Sequence, residues 1–306
     1  MFRFIFKRII QAMPVLFIVA TLTFFMIRLA PGGPFSGDKN TSPEILAQIN
    51  KHYGLDKPLY MQYGEYMLNL LKGDLGPSFK YANRSVNNII AQTFPVSLEL
   101  GLMAMAFAVV IGILAGVIAS IRPNSVRDYV SMSFVMMGIC IPAFVLGPMF
   151  IWFFAIKLGW FNVMGWNSVR DCVLPTITLG AIYAANIARL SRGGMLEILS
   201  KDFIRTARAK GIGEKWVIIR HALRGGLMSV VSYTGPAIAG VITGSFVVET
   251  IFQIPGLGRI FVQAAFNRDY TLIVGTVLFY ALLIVVMNVL ADILQIWLDP
   301  RRSFSD

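Results

Sequence analysis

The chain has little of what soluble enzymes commonly work with. Of its 306 residues only 14% are charged, two are cysteines and two are histidines. Soluble domains carry about 25% charged residues, so this shortage points to a membrane protein. Cys140 and Cys172 form neither a metal-ligand spacing nor a disulfide framework. His52 and His221 are isolated in sequence, which leaves zinc chemistry and a histidine-based triad without parts. A nucleotide loop is missing too. Gly256-Leu257-Gly258 follows Pro255 and has Phe261 where a third glycine would stand, so it cannot cradle a phosphate. No metal ligand, cofactor or catalytic residue is expected on this chain, and any ATP it depends on must be hydrolysed by another.

Apolar residues make up 56% of the chain, and they come in long runs. Six runs approach or exceed the ~20 residues needed to cross a bilayer: Ile9–Ile27, Pro95–Ile121, Tyr129–Ile156, Val173–Leu190, Leu227–Val248 and Thr271–Trp297. The first follows Arg3, Lys7 and Arg8. It is too long for a signal-peptide core and no small-x-small cleavage site follows, so it is expected to stay as an uncleaved span. Small residues recur inside the runs, with Gly112 and Gly116, Gly240 and Gly244, and Ala181, Ala184, Ala185 and Ala188 on single helix faces. Close helix packing is their commonest meaning. Pro142 and Pro148 free backbone carbonyls within the third run.

Net charge is +11, and its meaning depends on the side of the membrane. With six spans and both termini in the cytoplasm, the internal pieces hold 16 of the 27 Lys and Arg against six acids. The external loops, apart from the long first one, hold only Lys157, Arg170, Arg259 and Arg268. Long loops count little in the positive-inside rule, so both ends are expected to face the cytoplasm. The long external segment, Ala30 to Thr93, reads as two short helices. One opens at Ser42-Pro43-Glu44 and closes at His52-Tyr53-Gly54, and the other runs from Pro58 to Lys72. It is either a cap over helix ends or a platform for an extracytoplasmic partner.

The longest polar stretch between spans, Ser200 to Gly226, reads SKDFIRTARAKGIGEKWVIIRHALRGG. Asp202 is placed to cap a helix over Phe203–Lys210, and Gly211 to supply a left-handed stop. Glu214 opens a second helix to about Leu223, with Arg220 and Arg224 where the dipole favours cations. The result is a helix–turn–helix outside the lipid. Ala207, Ala209 and Gly211 are expected to leave a surface that another protein can approach closely. A basic hairpin resting on anionic lipid is the plainer reading. Nucleic-acid binding finds no support, because nothing suggests a dimer symmetry or release from the membrane.

Several of these motifs together resemble one family. RTARAKG, with HAL ten residues after its glycine, is similar to the cytoplasmic coupling loop of ABC importer permeases in its arginine-first peptide-permease form. Arg205, Thr206 and Ala207 fall on that loop's Glu-Ala-Ala positions, and Gly211 on its glycine. The family's proline after the histidine-alanine-leucine is absent, and Ser229 stands near its place. The break before the next span is then expected from Gly225 and Gly226. RLAPGGPF, LDKP, GDLGPSFKY and ETIFQIPGLG followed by RDY resemble the peptide/nickel permease family, nearest its oligopeptide type.

The resemblance implies an all-α integral membrane fold of the type I ABC importer permease kind. It has six transmembrane helices, a cytoplasmic coupling helix–turn–helix at 200–226 and a small extracytoplasmic helical insertion. Residues 1–94 form the N-terminal helix and external region, and 95–306 the permease core. It further implies a subunit of the bacterial cytoplasmic membrane that passes oligopeptides inward by alternating access. The partners would be a second homologous permease, two ATP-binding subunits, an extracytoplasmic peptide-binding protein and membrane lipid, with no nucleic acid. Arg205, Thr206, Ala207, Arg208, Ala209, Lys210, Gly211 and His221 would couple to the ATPase. Glu249, Pro255, Gly256, Gly258, Arg268 and Asp269 form a candidate external gate, in which Glu249 joins an ion network with Arg259, Arg268 or Asp269. Pro255-Gly256 is expected to turn and Gly258 to end that turn. Glu99 and Asp292 are ionisable residues within spans. They support an alternative, a proton-coupled secondary transporter of small peptides, although no inverted repeat is evident. An intramembrane enzyme lacks a nucleophile–base pair.

Overall fold

In the computed structural model, residues 2–29, 35, 43–243 and 245–298 are described. Gly244, most of RLAPGGPF and the C-terminal arginines lie outside the described residues. Among the described residues the regular structure is helical, apart from one isolated bridge between Pro77 and Ser85. In order the helices are α1 Phe2–Leu29, α2 Pro43–His52, α3 Leu59–Leu71, α4 Val86–Ile121, α5 Val126–Cys140 and α6 Ala143–Phe150. After a π-helical stretch over Ile151–Lys157 come α7 Val169–Leu199, α8 Asp202–Ala209 and α9 Glu214–Trp216. A second π stretch, Val217–Ala222, leads to α10 Leu223–Gly226, α11 Met228–Thr243, α12 Phe246–Ile251, α13 Leu257–Asn267 and α14 Tyr270–Leu298.

Among the described residues five helices are long and apolar enough to cross a membrane, or six if one bent pair is a single span. That pair is a correction to the expected continuous third span. Val126–Cys140 and Ala143–Lys157 meet at 109°. Pro142 causes the break. It stands at the N-cap of α6 with ψ 145°, and the residue before it, Ile141, is forced to an extended ψ of 115°. Pro14, Pro95, Pro175 and Pro236 sit inside their helices.

Two helices extend well beyond their apolar runs. Helix α4 begins nine residues before Pro95, where the Ser85 hydroxyl accepts the Asn88 N–H. Helix α7 begins at Val169, because the Asp171 carboxylate accepts the backbone N–H groups of Asn167 and Ser168, and it continues to Leu199.

The chain forms two compact units, residues 1–95 with 256–285 and residues 96–255 with 286–306. The first therefore takes in 256–285, which the sequence places with the permease core. In it α3 lies against α1. Tyr63 and Thr21 share a hydrogen bond of 2.8 Å, Tyr66 stacks on Phe24, and Arg28 Nε donates to Gln62. Phe35, Phe79 and Tyr270 form a further cluster, with Tyr53 edge-on to Phe79.

In the second unit α7 is the central post, packed by α5, α6, α11 and α12. The small residues act as close-packing faces here. A Cβ on Gly112 would lie 2.7 Å from the Ala184 carbonyl oxygen, and one on Gly116 2.5 Å from that of Ala188. Gly180 meets the Ala104 carbonyl in the same way, at 2.7 Å. Backbone-to-backbone approach of this kind holds helices together where lipid offers no hydrophobic drive.

Candidate functional site

The hairpin after α7 has two distinct faces. Ile204 and Ala207, one turn apart on α8, are buried with Val217, Ile218, Ala222 and Met195. Val117 of α4 and Ile198 of α7 pack on the same cluster. Opposite them Arg205, Thr206, Arg208, Ala209, Lys210 and Gly211 are exposed. The expectation that Ala207 offers an approach surface is therefore corrected. It is 6% exposed, because the helical period turns it inward with Ile204. Asp202 also differs from expectation. Lys201 is the N-cap residue, while Asp202 lies in the first turn, 3.5 Å from Arg205.

Gly211 does take the left-handed conformation, at φ +79°. The Ile212 N–H reaches the Ala207 carbonyl at 3.3 Å and the Gly211 N–H that of Arg208 at 2.9 Å, which is the Schellman arrangement. Arg208 then closes the turn on Glu214 with two hydrogen bonds of 3.0 and 2.6 Å. The paired guanidinium holds the Glu214 carboxyl below the usual carboxylate range, and Glu214 raises Arg208 in turn. His221 is half-buried in the π-helical stretch. Sequence reasoning missed the apolar members of the open face. Phe203 is 50% exposed and Trp216 61%, with Ile219 beside them in sequence. Their signal was available, because large apolar residues out of phase with the buried positions 204, 207, 217 and 218 must face outward.

The break expected at Gly225 and Gly226 is not there: both continue the chain as helix α10, and Leu227 makes the turn. Their use is contact. The space a Gly194 side chain would need is filled by the Gly226 carbonyl, and a Cβ on Gly226 would lie 2.5 Å from the Met195 sulfur. The hairpin's exit is thereby seated on α7 backbone to backbone. Farther along α7, Arg192 holds Asp128 of α5 through Nε at 2.8 Å and a terminal nitrogen at 2.6 Å. Asp128 is 3% exposed. This bidentate pair, which the sequence did not single out, joins the post carrying the hairpin to the broken span.

The residues expected at an external gate fall in both units. In the second, Glu249 on α12 is fully buried and accepts the Ser245 hydroxyl. The chain turns at Phe252 and Gln253, the latter at φ +52°, ahead of Pro255. In the first unit Gly256 is the N-cap of α13, and Gly258 is buried inside that helix instead of ending the turn. Arg268 is the left-handed C-cap of α13, at φ +57°. Asp269 is buried, and hydroxyl and backbone donors fill its carboxylate in place of an arginine. They are the Ser78 hydroxyl, the N–H groups of Phe79 and Lys80, the Thr271 hydroxyl and the Leu272 N–H. It caps α14 and ties the GPSFKY loop to it. Glu99 is exposed and accepts the Trp166 indole N–H at 3.1 Å, and Asp292 is half-buried. Among the described residues no group of His, Cys, Asp and Glu is arranged to hold a metal.

Residues 84–304 match the family described as "Binding-protein-dependent transport system inner membrane component", and 1–101 match its N-terminal counterpart. The chain belongs to this family. It is 48% identical over 306 residues to the oligopeptide transport system permease protein OppB of Haemophilus influenzae, covering 99% of this chain and 100% of that one. The Salmonella typhimurium OppB is 46% identical over the same shares. The dipeptide transport system permease protein DppB of Bacillus subtilis is 41% identical, over 98% of each chain. Among solved structures, inward-facing MetNI methionine ABC transporter superposes with a TM-score of 0.55 at 20% identity, over 69% of this chain and 96% of that one. An amino acid ABC transporter gives 0.54 at 14% identity, over 68% and 92%. These two show the fold, that of an ABC importer permease. The chain is a multi-pass membrane permease of a binding-protein-dependent system, and the proton-coupled alternative has no support among these relatives.

Proposed function

We propose that the chain is the pore-forming subunit of an ATP-driven importer that passes oligopeptides from an extracytoplasmic binding protein into the cytoplasm. It pairs with a second, homologous permease and two ATP-binding subunits, and both its termini face the cytoplasm. The observation carrying this reading is the two-faced hairpin, with an apolar inner face seated on α7 and an open face of arginines, Lys210, Phe203 and Trp216. Aromatic and arginine side chains around an exposed turn suit a protein partner better than a lipid surface, because a few such anchors dominate protein interfaces. Arg205, Thr206, Arg208, Ala209, Lys210, Gly211 and His221 belong to this coupling element, and Ala207 holds its shape from inside.

ATP binding on the partner would move the hairpin. The Gly194–Gly226 seat passes that movement to α7, and the Arg192–Asp128 pair passes it to α5 and the bend at Pro142. A two-state pore needs such rigid connections to a site where force is applied. Glu249, Pro255, Gly256, Gly258, Arg268 and Asp269 remain the candidate external gate. Glu249→Gln is expected to raise basal ATP hydrolysis by loosening it.

The direct test is uptake of defined peptides by cells lacking other peptide permeases. Uptake that requires this chain, a binding protein and ATP supports the reading. Uptake driven by a proton gradient without ATPase subunits would contradict it.

A further inference from the structure

Helix α3 and the two spans beside it leave a space that the transport reading does not use. A cavity of about 600 Å³ lies among Met13, Leu16 and Phe17 of α1, Leu70 and Leu71 at the end of α3, and Leu278 and Leu282 of α14. No ionisable side chain lines it. Cavities of ~300–1,000 Å³ are of the size that holds a small organic ligand. Two observations say what kind.

The first is depth. Met13–Phe17 lie inside the candidate span Ile10–Leu29, and Leu278–Leu282 inside Tyr270–Ile293. The walls therefore stand at the level of hydrocarbon. Several lining residues are also exposed on the outside of those helices, Met13 at 61% and Phe17 at 58% among them. The second is a cation between two lining residues in sequence. Lys72 follows Leu71 directly and precedes Gly73, which also lines the cavity. It is exposed, caps the C-terminus of α3 and has no ion-pair partner among the described residues. Asp74 nearby is engaged, its carboxylate accepting the Gly76 N–H. A cation next in sequence to the residues of an apolar slot matches a molecule with an anionic head and an apolar tail.

We propose that a glycerophospholipid of the surrounding bilayer is held here, one acyl chain in the slot between α1, α3 and α14 and its phosphate beside Lys72. Helix α3 fits this role. Leu59, Tyr60, Met61, Leu68 and Leu71 are exposed on it, and it runs along α1 from Gln62 at Arg28 to Leu70 at the slot, so it offers apolar surface along the length of an acyl chain. The bound chain completes the packing of α3 on the two spans.

The test uses membrane vesicles from cells expressing the full chain, supplied with phosphatidylethanolamine that carries a photoactivatable acyl chain. Adduct positions are read by peptide mass spectrometry. Adducts are expected at 13–17 and 278–282 at severalfold the level on the exposed α5 residues Val130 and Phe134. Leu282→Trp, which fills the slot, is expected to remove them severalfold and leave those on α5 unchanged. Leu282→Met is expected to keep them, and Lys72→Glu to lower them. Even labelling of all exposed apolar residues, no response to Leu282→Trp, loss in Leu282→Met as well, or cross-linking of the slot to another polypeptide would each overturn the proposal.

Discussion

The hairpin at 200–226 and the segment between α1 and α4 are both polar stretches flanked by spans, yet they are held in opposite ways. The segment between α1 and α4 is tied at many points. Asp269 gathers hydroxyl and backbone donors from the 78–80 loop and the start of α14, and aromatic rings pack Phe35, Tyr53 and Phe79 together. The hairpin rests on one apolar face and one glycine contact, and its other face is exposed among the described residues. Many internal ties suit a platform that keeps its shape. A single seat with an open face suits an element that another protein grips and moves.

The comparison is broken most severely at the seat. Gly194→Leu places a side chain where the Gly226 carbonyl lies, and neither backbone can yield. Overpacking typically costs about 1–3 kcal/mol, and this site belongs at or above the upper end. Little assembled protein is expected, measured as detergent-stable complex, whereas Gly64→Leu on α3, with open space around it, should leave the yield unchanged. Next comes Asp128→Ala, which strands Arg192. Breaking a buried pair costs about 3–5 kcal/mol, and the partial exposure of Arg192 places this variant at or below the lower end. The expected readout is lowered thermal stability with ATPase binding retained but transport uncoupled.

Asp269→Ala should cost about 2 kcal/mol, since it removes a helix cap and several charge-assisted hydrogen bonds. The effect is expected in protease sensitivity of the external segment, with the hairpin's ATPase binding intact. The smallest effect is at Arg208–Glu214, an exposed pair worth at most about 1 kcal/mol. Because Glu214 is held below its ordinary pKa, its contribution is present above the unfolded carboxylate value and fades as pH falls through the folded one. Glu214→Gln should remove that acid sensitivity in hydrogen exchange of the hairpin amides.

Much of this was legible in the residues. Gly211 as a left-handed stop, the two external helices and the small-residue faces follow from local rules that act within a few positions. What was missed depended on polar atoms meeting partners. Asp171 and Ser85 start helices in polar sequence that a hydropathy window passes over. Pro142 bends a span because Ile141 must go extended, whereas Pro95 does not break α4. Gly225 and Gly226 look like a break until Gly194 is seen opposite them, and the donors that fill the Asp269 carboxylate come from the Ser78 loop, far away in sequence. Ala207 was misplaced by reading small size as exposure, when the phase set by Ile204 decides it.

The open face of the hairpin is the central claim, and a photo-cross-linking side chain placed at Trp216 in intact membranes tests it most directly. One dominant adduct is expected, with an ATP-binding protein, and it is lost when Phe203 is changed to Ala together with Arg205 to Glu. Adducts with lipid alone, or with an external binding protein, would contradict it.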